Sequence, residues 1–233
     1  MKLPAEYQPM KQELIKQKIV IIDYGMGNIH SVKTAVQAVK SNYIEITCSH
    51  HIEEIKGADK LIFPGVGAIR DTVSPLREQG LAPVLAEHLF RKPSLAICVG
   101  MQALTVFSEE NQGTDCLGII SAKVKRFNPQ TMHANRTTTD KLKIPHIGWN
   151  QVKQNLDHPL WHKIPDCSYF YFVHSYHLEL TDKGLLAGTC NYGIDFPAAI
   201  CRGSLFATQF HPEKSDKNGL QLIKNFLQWD GKP

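Results

Sequence analysis

The stretch SLAICVGMQAL, residues 94–104, runs from an apolar, strand-like segment through one cysteine and a glycine straight into a helix-like Met-Gln-Ala-Leu. Strand, tight turn and helix in that order is the local pattern of an open parallel α/β sheet, whose reactive groups gather where strands end. Cys98 stands on the turn itself. A buried cysteine usually serves only as a small hydrophobe, so its meaning depends on its surroundings. Gly100 relieves crowding on the far side of a sharp turn, and Ala96 is small though less permissive. A helix starting after the turn directs its positive end at the sulfur and favours thiolate over thiol.

Working outward, the first half alternates strand-like and helix-period segments: IVIID (19–23), SVKTAVQAVK (31–40), YIEITC (43–48), DKLIFPG (59–65), VSPLREQGLAPVLAEHLFR (73–91) and PSLAIC (93–98). Such alternation predicts crossover units and a mainly parallel sheet flanked by helices. From about residue 117 the segments shorten and alternate like antiparallel strands, as in HIGWNQVKQ and SYFYFVHSYHLEL, which predicts an extension of the sheet and a smaller second sheet. NGLQLIKNFLQWD returns to helical period. Residues 128–143 are polar, Thr-rich and aperiodic, and read as a mobile surface loop.

The 233 residues accommodate one sizeable domain, expected over 19–230 after a loose extension at 1–18 that lacks a secretory apolar core. The 42% hydrophobic and 21% charged fractions are those of a soluble globular protein, and no apolar run approaches a membrane span. Six cysteines lie far apart with no C-x-x-C, which argues against a disulfide framework or zinc ribbon and for reduced thiols in a cytoplasm. A net charge of +4 without a basic stripe gives nucleic acid little to bind. The eleven histidines show no H-E-x-x-H and no ligand-spaced cluster, so no metal site is expected.

Two further segments bear on Cys98. In ATQFHPEKS (207–215), His211 and Glu213 are two residues apart on an extended segment stiffened by Pro212, so the carboxylate follows the ring and orients it. A thiolate nucleophile, an imidazole proton shuttle and a carboxylate form the set that acyl transfer needs. In LIFPGVGA, Gly65 and Gly67 around Val66 let backbone N–H groups approach a ligand as an oxyanion hole requires. A rival lies in Gly25-x-Gly27 after the first strand, which resembles a dinucleotide-binding turn. There the pattern fails: His30 stands where a third small residue belongs, and the second strand ends in Cys48-Ser49 with no acidic residue for a ribose.

The PGVG turn, the Cys98 elbow with Gln102 four residues on, and His-Pro-Glu together resemble a class I, triad-type glutamine amidotransferase over nearly all of residues 19–229. DYGMGNIHSV, PHIGWN, YFYFVHSYH, NYGIDFPAAI and QFHPEKS narrow the resemblance to the glutaminase subunits of imidazole glycerol phosphate synthase. It implies a flavodoxin-like α/β fold, no cofactor, and a heterodimer with a HisF-type (β/α)8 cyclase. The cyclase receives ammonia released from L-glutamine and makes imidazole glycerol phosphate and aminoimidazole carboxamide ribonucleotide for histidine biosynthesis.

By the same resemblance Cys98 is the nucleophile, His211 the base and Glu213 its orienter. Gly65, Val66, Gly67 and the Val99 N–H supply oxyanion stabilisation. Gln102 and Glu110 bind the amino-acid end of glutamine, and His174, Ser175 and Tyr176 line its other side. Asn28, Trp149, Tyr171 and Lys214 belong to the cyclase interface. Glu110, expected at the far end of the helix after the elbow, has the charge to meet a substrate ammonium. Trp149 and Tyr171 also fit core packing, as large aromatics in strands often do.

Ala96, Val99 and Ala103 depart from the Gly, Leu and Leu usual in the family. A paralogous subunit supplying ammonia for surface-sugar synthesis shares the same glutamine residues and differs in its partner. A silent scaffold is disfavoured by the intact triad, and a stand-alone cysteine hydrolase by the interface-type residues. The resemblance also implies low activity of the isolated chain, relieved by a backbone rearrangement at Gly65, Val66 and Gly67 when the cyclase binds its nucleotide.

Overall fold

Apolar strands buried on both faces set the architecture. A computed structural model describes residues 16–133 and 142–232. β1 (Gln17–Ile22), α1 (Ile29–Val39), β2 (Ile44–Ser49), α2 (Ile52–Gly57), β3 (Lys60–Gly65), α3 (Ile69–Glu78), α4 (Leu81–His88), β4 (Ser94–Cys98) and α5 (Val99–Ala103) form the first half. There follow β5 (Phe107–Ser108), β6 (Thr114–Asp115), β7 (Ala122–Arg126), α6 (Pro129–His133), β8 (His146–Gln154), β9 (Ser168–His174) and β10 (Tyr176–Leu180). β11 (Leu186–Asn191), β12 (Asp195–Arg202), β13 (Leu205–Thr208) and α7 (Asp216–Gln228) complete the described chain.

The large sheet has nine strands in the order β2-β1-β3-β4-β13-β12-β11-β8-β9. Its first five strands pair in parallel, and the rest are antiparallel. Every residue of β3, β4 and β13 is buried, as a parallel sheet covered on both faces requires. β8 and β9 alternate buried and exposed positions and turn one face to solvent. The second sheet has four strands, β10-β7-β5-β6. Beneath the antiparallel half, the Phe170 and Phe210 rings lie 4.1 Å apart at a tilt of 30° and Trp161 meets Phe206 edge-on at 5.3 Å, a cluster that packs against the segment leading to His211.

Several expectations change. The segment 73–91 is two helices, begun earlier at Ile69 and broken at Gly80, whose φ of 68° stops the first helix. α2 has no counterpart in the sequence reading. The extension read as 1–18 already enters β1 at Gln17, since that strand pairs in register with Ile44 and Glu45 of β2; residues 1–15 lie outside the described residues. The loop read at 128–143 begins with α6, whose Met132 is fully buried, and residues 134–141 lie outside the described residues. Among the described residues no helix is long and apolar enough to cross a membrane.

Lys60, at the start of β3, is buried, and burial pushes its ammonium down to about 8. Its Nζ donates to the Phe226 carbonyl at 3.0 Å and to the Trp229 carbonyl, closing the C-terminal end of α7 against the sheet. Replacing it with an apolar chain strips the Trp229 carbonyl of this donor, while the Phe226 carbonyl keeps only the Trp229 N–H at 3.2 Å. Lys60→Met is expected to lower the unfolding free energy by about 2 kcal/mol, measured as a lower urea midpoint at unchanged slope.

Candidate active site

Cys98 closes β4 with φ 54° and ψ −112°, a conformation that L residues avoid and that turns the chain sharply into α5. Register places Gly65 beside Cys98. A Cβ on Gly65 would lie 2.4 Å from the Gly100 nitrogen, and one on Gly100 would lie 2.3 Å from the Phe63 carbonyl oxygen, so both positions exclude a side chain. Ala96 is fully buried and fits the elbow. α5 spans only five residues, so the dipole it directs at the sulfur is small.

On the other side of β4, β13 pairs Thr208 with Ile97, and the next residue, Gln209, reaches the elbow. Its Nε2 donates to Cys98 Sγ at 3.7 Å. Two residues on, His211 Nδ1 lies 2.8 Å from Glu213 Oε1, with the two side chains 2% and 1% exposed. Burial pulls the His211 ring down, but the negative sulfur of Cys98, its hydrogen bond to the ring and the Glu213 carboxylate outweigh it and push His211 up to about 10. Ser215 ties this segment to β9: its hydroxyl donates to the His211 carbonyl at 2.6 Å and accepts from Tyr171 N–H at 2.9 Å.

A cavity of about 370 Å³ opens over Cys98 and His211, lined also by Val66, Gly67, Val99, Gln102, Glu110, His174, Ser175, Tyr176 and Lys214. The triad, oxyanion and substrate-side candidates thus converge on this cavity, except that Gly65 stands behind the elbow and Glu213 reaches it only through His211. Gly67 has φ 83°, and Tyr24 anchors the turn before it by donating to the Pro64 carbonyl at 3.0 Å.

Glu110 is not on the helix after the elbow, which ends at Ala103. It sits on a 3-10 turn, Glu110–Gln112, and its Oε2 accepts from Ile69 N–H at 2.9 Å, capping α3. Burial raises its carboxyl against that hydrogen bond. Gln102 donates through Nε2 to the Tyr176 carbonyl at 3.0 Å and to Gln209 Oε1 at 2.9 Å. Gln102 itself lines the cavity.

The sequence reading missed a run of three hydrogen bonds through two buried histidines. His174 Nδ1 donates to the Tyr176 carbonyl at 2.7 Å, so its Nε2 accepts from His146 Nδ1 at 3.0 Å, and His146 Nε2 then accepts from Asn150 at 3.3 Å. Burial pushes His146 down to about 4 and His174 to about 3, so both rings are neutral donors and acceptors.

Trp149 and Tyr171 do not pack in the core. They pair across β8 and β9 at 6.0 Å, with Trp149 51% exposed, and Ile147, Tyr169 and Val173 extend the same apolar face. That face was legible only in part, because alternation marks a two-faced strand without saying which face is covered. Asn28 sits at the start of α1, beyond the Gly25 and Gly27 turn, and Lys214 is exposed at the cavity rim.

A family model described as glutamine amidotransferase class-I matches residues 20–229. A Pseudomonas putida protein named imidazole glycerol phosphate synthase subunit HisH is 47% identical over 216 residues, covering 93% of this chain and 99% of that protein. The protein of the same name from Acinetobacter baylyi is 49% identical over 214 residues, covering 91% and 98%. A solved glutamine amidotransferase from Thermotoga maritima superposes with a TM-score of 0.54 at 15% identity, covering 91% of this chain and 82% of that one. At that identity the likeness concerns the fold.

His211 is held above its ordinary value of 6.5, so its contribution to stability is complete below about 6.5 and is lost as pH rises through about 10. Nuclear magnetic resonance of ring-labelled protein is expected to show His211 protonated at pH 8 while His146 and His174 stay neutral at pH 5. In Cys98→Ala the His211 titration moves to lower pH, because one of the charges holding its proton is gone.

Proposed function

This chain belongs to the class-I glutamine amidotransferase family, with the HisH subunits of imidazole glycerol phosphate synthase, and on that premise we propose that Cys98, His211 and Glu213 hydrolyse L-glutamine and that the ammonia passes to a HisF-type cyclase. The observation that carries this reading is the convergence on one cavity of a strained cysteine, a histidine backed by a buried carboxylate and a glycine-rich turn. Cys98 Sγ attacks the carboxamide carbon, and His211 passes a proton to the departing nitrogen, giving ammonia and a γ-glutamyl thioester. Water then attacks the thioester, His211 takes its proton, and glutamate leaves as the sulfur is restored. Glu213 holds Nδ1–H and stabilises the imidazolium at both stages. The N–H groups of Val66, Gly67 and Val99 receive the oxyanion.

Gln102 Oε1 and the Glu110 carboxylate meet the substrate ammonium, and the backbone of His174, Ser175 and Tyr176 closes the other wall. Because Glu110 also caps α3, substrate binding and the position of that helix are coupled. The apolar face of Trp149 and Tyr171, with Asn28 and Lys214, docks the cyclase, and the complex works in the cytoplasm in histidine biosynthesis. Gly67, already at positive φ, makes a peptide flip in the Gly65–Val66–Gly67 turn inexpensive, so cyclase and its nucleotide switch the site on.

Glutamate release by the purified chain is expected to be slow and to rise on adding the cyclase with its nucleotide ligand. Cys98→Ala abolishes the stimulated rate by at least about a thousandfold. Trp149→Ala weakens the complex by about 2 kcal/mol, roughly thirtyfold in Kd, without changing kcat at saturating cyclase. No stimulation by this cyclase, with Cys98 still alkylated by a glutamine analogue, assigns the chain to a different acceptor enzyme.

A further inference from the structure

We propose that Gln209 is a further catalytic residue, whose side-chain amide donates a hydrogen bond to the Cys98 sulfur and holds it as the attacking thiolate. Gln209 is fully buried, lies one residue beyond β13, and has no place in the triad. The inference rests on Cys98 being the nucleophile.

The direction of its amide follows from an acceptor that cannot be reversed. The Tyr176 carbonyl accepts from His174 Nδ1 at 2.7 Å and faces the Gln102 side chain at 3.0 Å. A carbonyl oxygen only accepts, so Gln102 must present its NH2 there. That same NH2 lies 2.9 Å from the Gln209 side chain, which must therefore present its oxygen. The Gln209 NH2 is left facing Cys98 Sγ at 3.7 Å, a normal length for a nitrogen-to-sulfur hydrogen bond.

One backbone carbonyl thus sets the polarity of two amides in series and delivers a donor to the reacting atom. A donor fixed there favours thiolate over thiol, because hydrogen bonds to an ionised acceptor are about twice as strong as neutral ones. It also restrains the Cys98 rotamer, so the sulfur is aimed before substrate arrives. The five-residue α5 is too short to supply this stabilisation by its dipole alone.

Gln209→Glu keeps an oxygen for Gln102 and removes the donor at the sulfur; Gln209→Met removes both at similar volume. Each is made in the full chain and assayed with the HisF-type cyclase and its nucleotide. Two quantities are measured: the pH dependence of iodoacetamide alkylation at Cys98, followed on its own peptide by mass spectrometry, and kcat and KM for glutamine. Both variants are expected to alkylate about tenfold more slowly at neutral pH with the profile displaced upward, and kcat to fall about tenfold with KM within about twofold.

A purely structural role lowers the melting temperature and leaves the alkylation profile in place, and that result in either folded variant overturns the proposal. In the unaltered protein the Gln209 side-chain amide protons are expected to shift when Cys98 is alkylated; protons that stay still overturn it as well. Undiminished glutamine hydrolysis by Cys98→Ala defeats the nucleophile assignment instead, and the alkylation profiles separate that outcome from a failure of Gln209.

Discussion

The site depends on one steric constraint, the meeting of the β3 and β4 ends with no side chain between them. A Cβ on Gly65 would fall 2.4 Å from Gly100 N and one on Gly100 would fall 2.3 Å from Phe63 O, distances that no packing adjustment accommodates. Because these backbones touch, β4 cannot run on past Cys98, and the chain escapes through a positive φ into α5. The strain at Cys98 is therefore held by two neighbouring strands of a fully buried sheet. The same contact sets the glycine-rich turn after β3 against the start of α5, so Cys98 and its candidate oxyanion donors are positioned by one interface.

On the opposite flank, β13 leaves the sheet beside β4 and carries Gln209 and His211 to the elbow within three residues. The aromatic cluster around Phe210 and the Ser215 bridge to Tyr171 fix that short segment from below and from the side. Burial would discharge His211, but the sulfur and the Glu213 carboxylate keep it protonated. Burial wins at His146 and His174, where no carboxylate answers it, and their rings serve as neutral relays of hydrogen-bond direction. Neighbouring histidines are thus pushed in opposite directions, according to whether an anion shares the pocket.

Strand–turn–helix order, the parallel first half, the second sheet and the pairing of His211 with Glu213 were legible in the sequence, because each is a local pattern of period or spacing. A two-residue separation on an extended chain needs no tertiary knowledge to place a carboxylate behind a ring. The break at Gly80 was local as well, but helical period on both sides concealed it. Glu110 was misplaced because α5 ends at Ala103, after little more than one turn, and the chain passes through β5 before reaching it.

What only the tertiary structure decided lies in contacts between distant residues. Gln209 reaches Cys98 across 111 positions and Gln102 across 107, and Glu110 caps a helix 41 residues earlier. Period and spacing carry no information over such separations, and an amide's direction is not encoded in its residue type. Exposure of the Trp149 and Tyr171 face was undecided for the related reason that alternation shows two faces without naming the covered one. The sequence by itself determined the fold's order and the candidate reacting groups; the folded sheet alone chose which donors, acceptors and surfaces those groups meet.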